Sequence, residues 1–489
     1  MDEFVQKVVD SLTAKGKRLS IVRNPDGFLL RPDTQQNVLD KSGLLLLPVS
    51  SSIELRVRYE LSDKNSNNKV CYIMNTPHEL LPDLKFIFHI APPFSVSSLL
   101  PACNETELLR AGLTFGMATY IYNKKYVHNL FPAETRELIK EAANLYGEDI
   151  HELSAHLKDI PLKWDQAETM DTICSLLIKA IRQDAYAEIE PVINELNEDF
   201  QQYINDRYFT LPSSSHIKKP KMVNQVLPYL MYKHQHTDKI ALIVIDGMSY
   251  WQYLVLDKAL NDKGMQTHKD ITFAWLPSIT KLSRQAIFRG NTPQNSYHQT
   301  PTAEKNLWTD FWTSSKRPSA KYMKTFEIGY THNSLLTDNK NLYRQAFVDI
   351  ELDGKMHSSS DNKDLYDLTH NWAKDAAEKI KHIQEQEYQI YITADHGNIY
   401  SHAWRTLKSQ EKTYLFQNGS RGSRHLSYED VNYLKNFLQS NKEIEKELLV
   451  RDNWAVWRNA KCFKGQDEIT HGGSHFLEVI IPFVTIEKK

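Results

Sequence analysis

The chain has 489 residues, of which 41% are hydrophobic, 25% charged and 11% aromatic, a balance that excludes global disorder. Lys and Arg total 59 against 61 Asp and Glu; the net charge of -2 excludes a uniformly basic nucleic-acid coat and leaves room only for a local basic groove. With 17 Gly and 19 Pro the chain is no collagen or Gly-rich repeat, and at about 150 residues per domain its length suggests roughly three domains.

In chain order, Phe4, Val5, Val8, Val9 and Leu12 share one helical face. Ile53, Leu55, Val57, Tyr59 and Leu61 alternate with charged residues, which predicts a half-buried strand. Residues 70–74 and 84–90 read as further strands, so 1–132 is expected to be a small α/β domain without a chemical motif. Apolar residues then recur at helical spacing through 133–210, a helical connector. The stretch 211–221, with two prolines and three lysines, opens a linker over 211–235.

From residue 236 to the end the pattern becomes α/β. Apolar strands are predicted at 240–245, 271–276, 347–352, 388–393 and 478–486, with helices at 250–260, 280–288 and 372–386 between them. Strands alternating with helices imply a parallel sheet covered on both faces. The segment 291–344 fits no core strand and is expected to form a lid or insertion.

The cysteines Cys71, Cys103, Cys174 and Cys462 form no C-x-x-C pair and read as reduced thiols. The start, Met1-Asp2-Glu3-Phe4, lacks the apolar core of a secretory leader. The longest apolar runs are far short of the roughly 18 residues of a membrane span, so the expectation is a cytoplasmic chain with no membrane association.

The chemistry gathers where strands are predicted to end. Asp246, Asp353 and Asp395 each follow an apolar strand, the edge at which open α/β sheets bind ligands. Three converging carboxylates need a cation. His357 lies four residues after Asp353, His396 follows Asp395, and His471 stands before Gly472-Gly473. Carboxylate with imidazole is a zinc or manganese ligand set, and two such groups allow a two-metal phosphoryl-transfer site. Pro277-Ser278-Ile279-Thr280 leads into a helix, which offers Thr280 as a nucleophile or, with Ser278, as an N-cap.

These motifs together resemble the alkaline phosphatase superfamily and, within it, the PglZ domain. The resemblance covers 239–489 and rests on Ile243-Val244-Ile245-Asp246-Gly247, Leu276-Pro277-Ser278-Ile279-Thr280 with Ser283-Arg284, Asp353-Gly354-Lys355-Met356-His357, Thr393-Ala394-Asp395-His396-Gly397, and His471-Gly472-Gly473 with Glu478-Val479-Ile480-Ile481-Pro482. It implies an alkaline-phosphatase-like, parallel-rich sheet with helices on both faces, preceded by the small α/β domain and the helical connector. It also implies two divalent metals, zinc before manganese or magnesium. Asp246, Asp395 and His396 would hold one, which also contacts Thr280; Asp353, His357 and His471 would hold the other.

Thr280 would be the nucleophile, with Arg284 a candidate phosphate contact and His475 the alternative to His471. His402, Arg424 and His425 read as structural. The Pro-Ser-Ile-Thr spacing resembles that of nucleotide phosphodiesterases, which favours a phosphodiester or nucleic-acid substrate. PglZ proteins are similar to components of BREX-type antiphage loci, beside a methyltransferase and an ATPase. Receiver-like domains precede PglZ in some relatives, although the N-terminal segment here offers no acidic phospho-acceptor pocket. The alternatives are an idle or partner-gated scaffold and a phosphomonoesterase on a small metabolite or phosphoprotein. A sulfatase, lacking C/S-x-P-x-R at a cysteine, and a P-loop ATPase are disfavoured.

Overall fold

The computed structural model describes residues 3–74, 80–294, 296–314, 323–336 and 342–488. The chain forms two compact units, Met1–Leu153 and Ser154–Lys489.

In the first unit, α1 (Glu3–Leu12) leads to β1 (Leu19–Val22), α2 (Pro32–Ser42), β2 (Leu44–Pro48), α3 (Ser52–Arg58) and β3 (Lys69–Ile73). Then come α4 (Leu84–Ile87), β4 (His89–Ile90), α5 (Glu105–Ala111), α6 (Phe115–Asn123) and α7 (Pro132–Tyr146). The four strands are parallel, in the order β2-β3-β1-β4. Side chains alternate across the sheet: Leu19, Ile21 and Tyr72 join Leu55 and Leu84 on one side, while Val22, Cys71 and Ile73 join Phe4, Val8 and Phe115 on the other.

Two expected strands are corrected here. Residues 52–58 are helical: Ser51 caps the helix by accepting from Glu54 N at 3.2 Å, and Glu54–Arg58 and Arg56–Glu60 pair one turn apart. Cap and i,i+4 charges outweigh the alternation, which leaves Ile53 and Val57 exposed. In 84–90 only His89–Ile90 finds a strand partner, at Ser20 and Ile21, and Leu84–Ile87 winds into α4.

The helix α8 (Ile150–Lys158) carries the chain into the second unit, where α9 (Ala167–Arg182) and α10 (Tyr186–Asp206) lie. The expected connector is thus divided, with α7 in the first unit. The segment expected as a linker is pinned by Gln225, which donates to Leu211 O and Ser214 O and accepts from Lys221 N. After α11 (Val226–Lys233) come β5 (Ile240–Ile245), α12 (Tyr250–Asp262), β6 (Thr267–Phe273), α13 (Thr280–Arg289) and α14 (Pro301–Thr313). Next are β7 (Ile328–His332), β8 (Arg344–Asp349), α15 (Glu351–Ser358), α16 (Asn362–Glu385) and β9 (Gln389–Ala394). A smaller region follows: β10 (Ile399–Ala403), α17 (Ser409–Asn418), β11 (Gly419–Arg421), β12 (His425–Tyr428), α18 (Val431–Ser440), β13 (Leu448–Arg451), β14 (Trp454–Trp457), β15 (Lys461–Cys462) and β16 (Glu468–Thr470). The chain closes with α19 (Phe476–Val479) and β17 (Ile480–Ile486).

The main sheet runs β6-β17-β9-β5-β8-β7. The strands β9, β5, β8 and β7 are mutually parallel, and β17 is antiparallel to both neighbours. Central β5 is buried at every residue, which is why it reads as an unbroken apolar run. Two further expectations are corrected. The strand predicted at 347–352 ends at Asp349, so Asp353 lies in the first turn of α15; Leu352 extends the apolar run because it is buried on that helix. The segment 291–344 does hold a sheet strand, edge β7, together with α14; its residues 295, 315–322 and 337–341 lie outside the described ones.

Candidate metal centre

The C-terminal ends of the parallel strands set the first ligand group. Asp246 directly follows β5, and its N–H donates to Asp349 O at 2.8 Å, which ties it to β8. Asp395 and His396 directly follow β9, the strand on the other side of β5. Asp395 Oδ1 accepts from Gly247 N at 3.1 Å and from His396 N at 3.0 Å. His396 Nδ1 lies 3.0 Å from Gly397 O, so the proton belongs on Nδ1 and Nε2 is left as the ligand atom. That Nε2 is 3.7 Å from both Asp246 Oδ1 and Asp395 Oδ2, and all three residues are buried.

The second group comes from a helix and a loop. Asp353 and His357 sit four residues apart on α15, with Asp353 Oδ1 3.6 Å from His357 Nε2. Asp349 starts that helix: Oδ1 accepts from Glu351 N at 2.9 Å and Oδ2 from Trp372 Nε1 at 3.1 Å. His471 follows β16, and its Nδ1 meets Ser278 O at 3.0 Å, again freeing Nε2. The ligand atoms of Asp353, His357 and His471 lie within 4.8 Å of one another, as do those of Asp246, Asp395 and His396. The two groups adjoin: the rings of His396 and His471 stack with centroids 3.9 Å apart.

Two glycines make this convergence possible. Gly247 has φ +70°, and a Cβ there would stand 3.2 Å from Asp353 Oδ1. At Gly397 a Cβ would fall 2.0 Å from Leu477 O, so only glycine lets the 395–397 turn lie against α19.

The electrostatics call for cations. Asp395 Oδ2 and Asp353 Oδ1 are buried without a hydrogen-bond partner. Burial, and then the charge of Asp246, push the Asp395 carboxyl well above the usual carboxylate range. Burial and then neighbouring His396 hold His471 down to about 4, which leaves it the neutral imidazole that a metal requires. Orphaned oxygens, a neutral imidazole at His471 and crowded carboxylates fit a divalent-cation donor set.

Thr280 is the first residue of α13, and Ile279 occupies the cap position, so the threonine hydroxyl is not spent as an N-cap. Its Oγ1 lies 3.1 Å from His396 Nε2 and 3.5 Å from Asp246 Oδ1. Ser278 does other work: its Oγ donates to Gly473 O at 2.7 Å and accepts from Gly472 N at 3.1 Å, which fixes the loop that carries His471. Arg284 forks onto Glu304, with Nε–Oε1 2.7 Å and Nη2–Oε2 2.8 Å, and donates from Nη1 to Asp246 Oδ2 at 2.7 Å. Its guanidinium is thereby engaged with protein carboxylates. His475 lies outside both ligand groups; it is buried and caps α19, its Nδ1 accepting from Leu477 N at 3.2 Å.

Arg424 makes a fully buried fork with Glu478 at 2.9 and 2.8 Å, and Glu478 Oε1 also accepts from Gly473 N. His402 lies between Glu190 and Asp467. Glu304 and the loop-holding role of Ser278 were not legible in the sequence. Glu304 is 20 residues from Arg284, in a segment without periodic signal, and no spacing rule links them.

Residues 223–486 match the sequence profile described as the BREX system PglZ alkaline phosphatase-like domain. No match is found to a curated protein. Among solved structures the chain is similar to phosphonoacetate hydrolase from Sinorhizobium meliloti 1021 in complex with phosphonoacetate: 10% identity and TM-score 0.32, over 51% of this chain and 89% of that one. It is also similar to murine ectonucleotide pyrophosphatase/phosphodiesterase 5, at 9% identity and TM-score 0.31 over 50% and 88%. For the human counterpart the values are 8% and 0.34, over 51% and 87%.

Proposed function

The chain belongs to the PglZ family of alkaline phosphatase-like domains, and we propose that it is a metal-dependent phosphodiesterase whose nucleophile is Thr280. The broader class, a phosphoric ester hydrolase, follows from the family. The observation that carries the finer reading is the Thr280 hydroxyl, 3.1 Å from His396 Nε2 and 3.5 Å from Asp246 Oδ1, next to six carboxylate and imidazole ligands in two groups.

In this reading Asp246, Asp395 and His396 hold one divalent cation and Asp353, His357 and His471 a second, zinc before manganese or magnesium. Such cations supply Lewis acidity, which polarises phosphoryl oxygens and acidifies a bound hydroxyl or water. Thr280 Oγ forms the new bond to phosphorus as the ester oxygen leaves with a proton. Water then cleaves the phosphothreonine, releasing a monoester and restoring the hydroxyl. The N-terminus of α13 directs its dipole at the phosphate.

A diester is favoured over a monoester by Arg284. Three of its five N–H donors meet Glu304 and Asp246, and its charge is matched by these two buried carboxylates, so it is not available to balance the second charge of a monoester dianion. We place the activity in a BREX-type defence system, the system that the family description names, and propose phosphodiester or nucleic-acid substrates and, as partners, a methyltransferase and an ATPase.

The test is hydrolysis of bis(p-nitrophenyl) phosphate and p-nitrophenyl phosphate by zinc- and manganese-loaded protein, with metal content measured for the parent and Thr280→Ala. Diester cleavage in the parent, lost in Thr280→Ala with metal retained, is expected. Equal cleavage by Thr280→Ala would refute the nucleophile, and faster monoester cleavage would refute the diester preference.

A further inference from the structure

A cleft of about 510 Å³ opens where the β6–α13 connection meets the β12–β14 region, within the range of about 300–1,000 Å³ usual for small-ligand sites. Its lining includes both chain neighbours of Thr280, Ile279 and Lys281. Trp275 contributes from the β6–α13 connection, and Trp454, Asn453 and Tyr428 from the β12–β14 region. Both tryptophans are only half-buried, although neither lies on an outer helix face where partial exposure is ordinary. Ile279 also reaches the metal-site loop: a Cβ on Gly472, next to His471, would stand 3.6 Å from Ile279 Cγ2.

We infer that this cleft is the nucleoside subsite of the phosphodiesterase, taking the base and sugar attached to the phosphorus that Thr280 attacks. The inference rests on the reading of Thr280 as nucleophile and narrows its substrate to one that presents a nucleoside to this cleft. Aromatic rings in a concave site provide stacking faces, and every base has a π-face to offer. Lys281 adds the cation that accompanies such platforms in single-strand binders, on the residue next to the attacking hydroxyl. Asn453 spends one Nδ2–H on Tyr428 O; the amide's second N–H and its oxygen are the chemistry that meets a base edge. A base enters only when unpaired, so the substrate class is a nucleotide diester or single-stranded nucleic acid.

Two esters with one leaving group isolate the nucleoside: thymidine 5′-(p-nitrophenyl phosphate) and methyl p-nitrophenyl phosphate. For the metal-loaded parent, kcat/KM for the thymidine ester should exceed that for the methyl ester by about 5- to 150-fold, the span of one base stack on an aromatic. In Trp454→Ala the ratio should fall towards one, while Trp454→Phe, which keeps a ring, should retain most of it. A ratio within each protein cancels any loss of folded fraction, and Trp275→Ala, on a separate element, repeats the test should Trp454→Ala not fold. A parent ratio near one, or one unchanged in both alanine variants, overturns the inference. If the parent cleaves neither ester, the reading of Thr280 fails separately. Saturable quenching of tryptophan fluorescence by thymidine 5′-monophosphate, lost in Trp454→Ala, would then uphold the cleft as a nucleoside site, and absence of quenching would overturn it.

Discussion

Removing the Glu304 side chain should destabilise the Ser154–Lys489 unit by about 3–5 kcal/mol, the usual loss when one partner of a buried ion pair is deleted. Arg284 is 4% exposed and Glu304 0%, so water cannot replace the lost carboxylate. Two charge-assisted hydrogen bonds of 2.7 and 2.8 Å vanish with it, and the Tyr330 hydroxyl and Gln299 amide lose their acceptor. Asp246 would remain as the sole carboxylate on the guanidinium. Against a typical total of about 5–15 kcal/mol this is a large fraction. Replacing both partners by apolar residues of similar volume, Arg284→Met with Glu304→Leu, should recover part of the loss, because the Arg284 and Glu304 charges leave together while buried Asp246 loses its guanidinium. The double variant also removes the Nη1 bond that orients Asp246, so its metal affinity should fall about 10- to 100-fold while its stability recovers in part. All nine tryptophans lie between Trp164 and Trp457, so urea unfolding followed by tryptophan fluorescence reports this unit alone. The stability arm is run with chelator present, so that metal adds nothing. Glu304→Ala within about 1 kcal/mol of the parent, or a double variant as unstable as the single one, would refute the reasoning.

Ser278→Ala should lower stability by about 1–3 kcal/mol, by stranding the Gly472 N–H and Gly473 carbonyl, yet keep measurable hydrolysis; activity as low as in Thr280→Ala would make Ser278 a catalytic residue. Gly397→Ala forces a Cβ to within 2.0 Å of Leu477 O and 3.0 Å of Ser249 Cα, both backbone, so a loss of at least about 3 kcal/mol is expected in the urea assay; a near-neutral variant would show the 395–397 turn to be loose. Burial pulls the pKa of His402 down, but hydrogen bonds to Glu190 and Asp467 outweigh it and raise the value above 6.5. The stabilisation is therefore complete below about pH 6.5 and fades as pH rises through the folded value, a slope that His402→Gln should flatten and whose persistence would rule the cluster out as its source.

How much of this was legible depended on the distance between cause and effect along the chain. Asp246 and Asp395 were readable because an apolar run closed by Asp is a local signal, and central parallel strands must read that way. Asp353 was found for the wrong reason: Leu352 disguised the first turn of α15 as the end of β8, and the four-residue step to His357 is a helical step. The strand expected at 53–61 failed because alternation is weaker evidence than a cap with i,i+4 charge pairs. The expected insertion at 291–344 hid both an edge strand and Glu304, because an edge strand with a half-buried face carries little pattern and a buried ion pair carries none. Long-range polar pairs are the part of a site that a single sequence does not spell out.

The two ligand groups are not built alike, and that difference predicts unequal metal binding. Asp246, Asp395 and His396 are buried and oriented before any cation arrives: Asp246 by Arg284, Asp395 by two backbone N–H groups, and His396 by the Gly397 carbonyl. They also bring two carboxylates, and the positive charge of Arg284 is already matched by Glu304. The other group has one carboxylate, and its His357 side chain is 51% exposed, so its rotamer must be fixed on binding at about 0.5–1.5 kcal/mol. Preorganisation and charge therefore favour the same group. Stepwise dialysis against a chelator should strip one equivalent well before the other. His357→Ala should lose the labile equivalent and retain the tight one, whereas Asp395→Asn should lose the tight one first. Simultaneous loss of both equivalents from the parent, or a His357→Ala protein that retains neither, would show that the groups bind as one cooperative centre and that burial does not set their order.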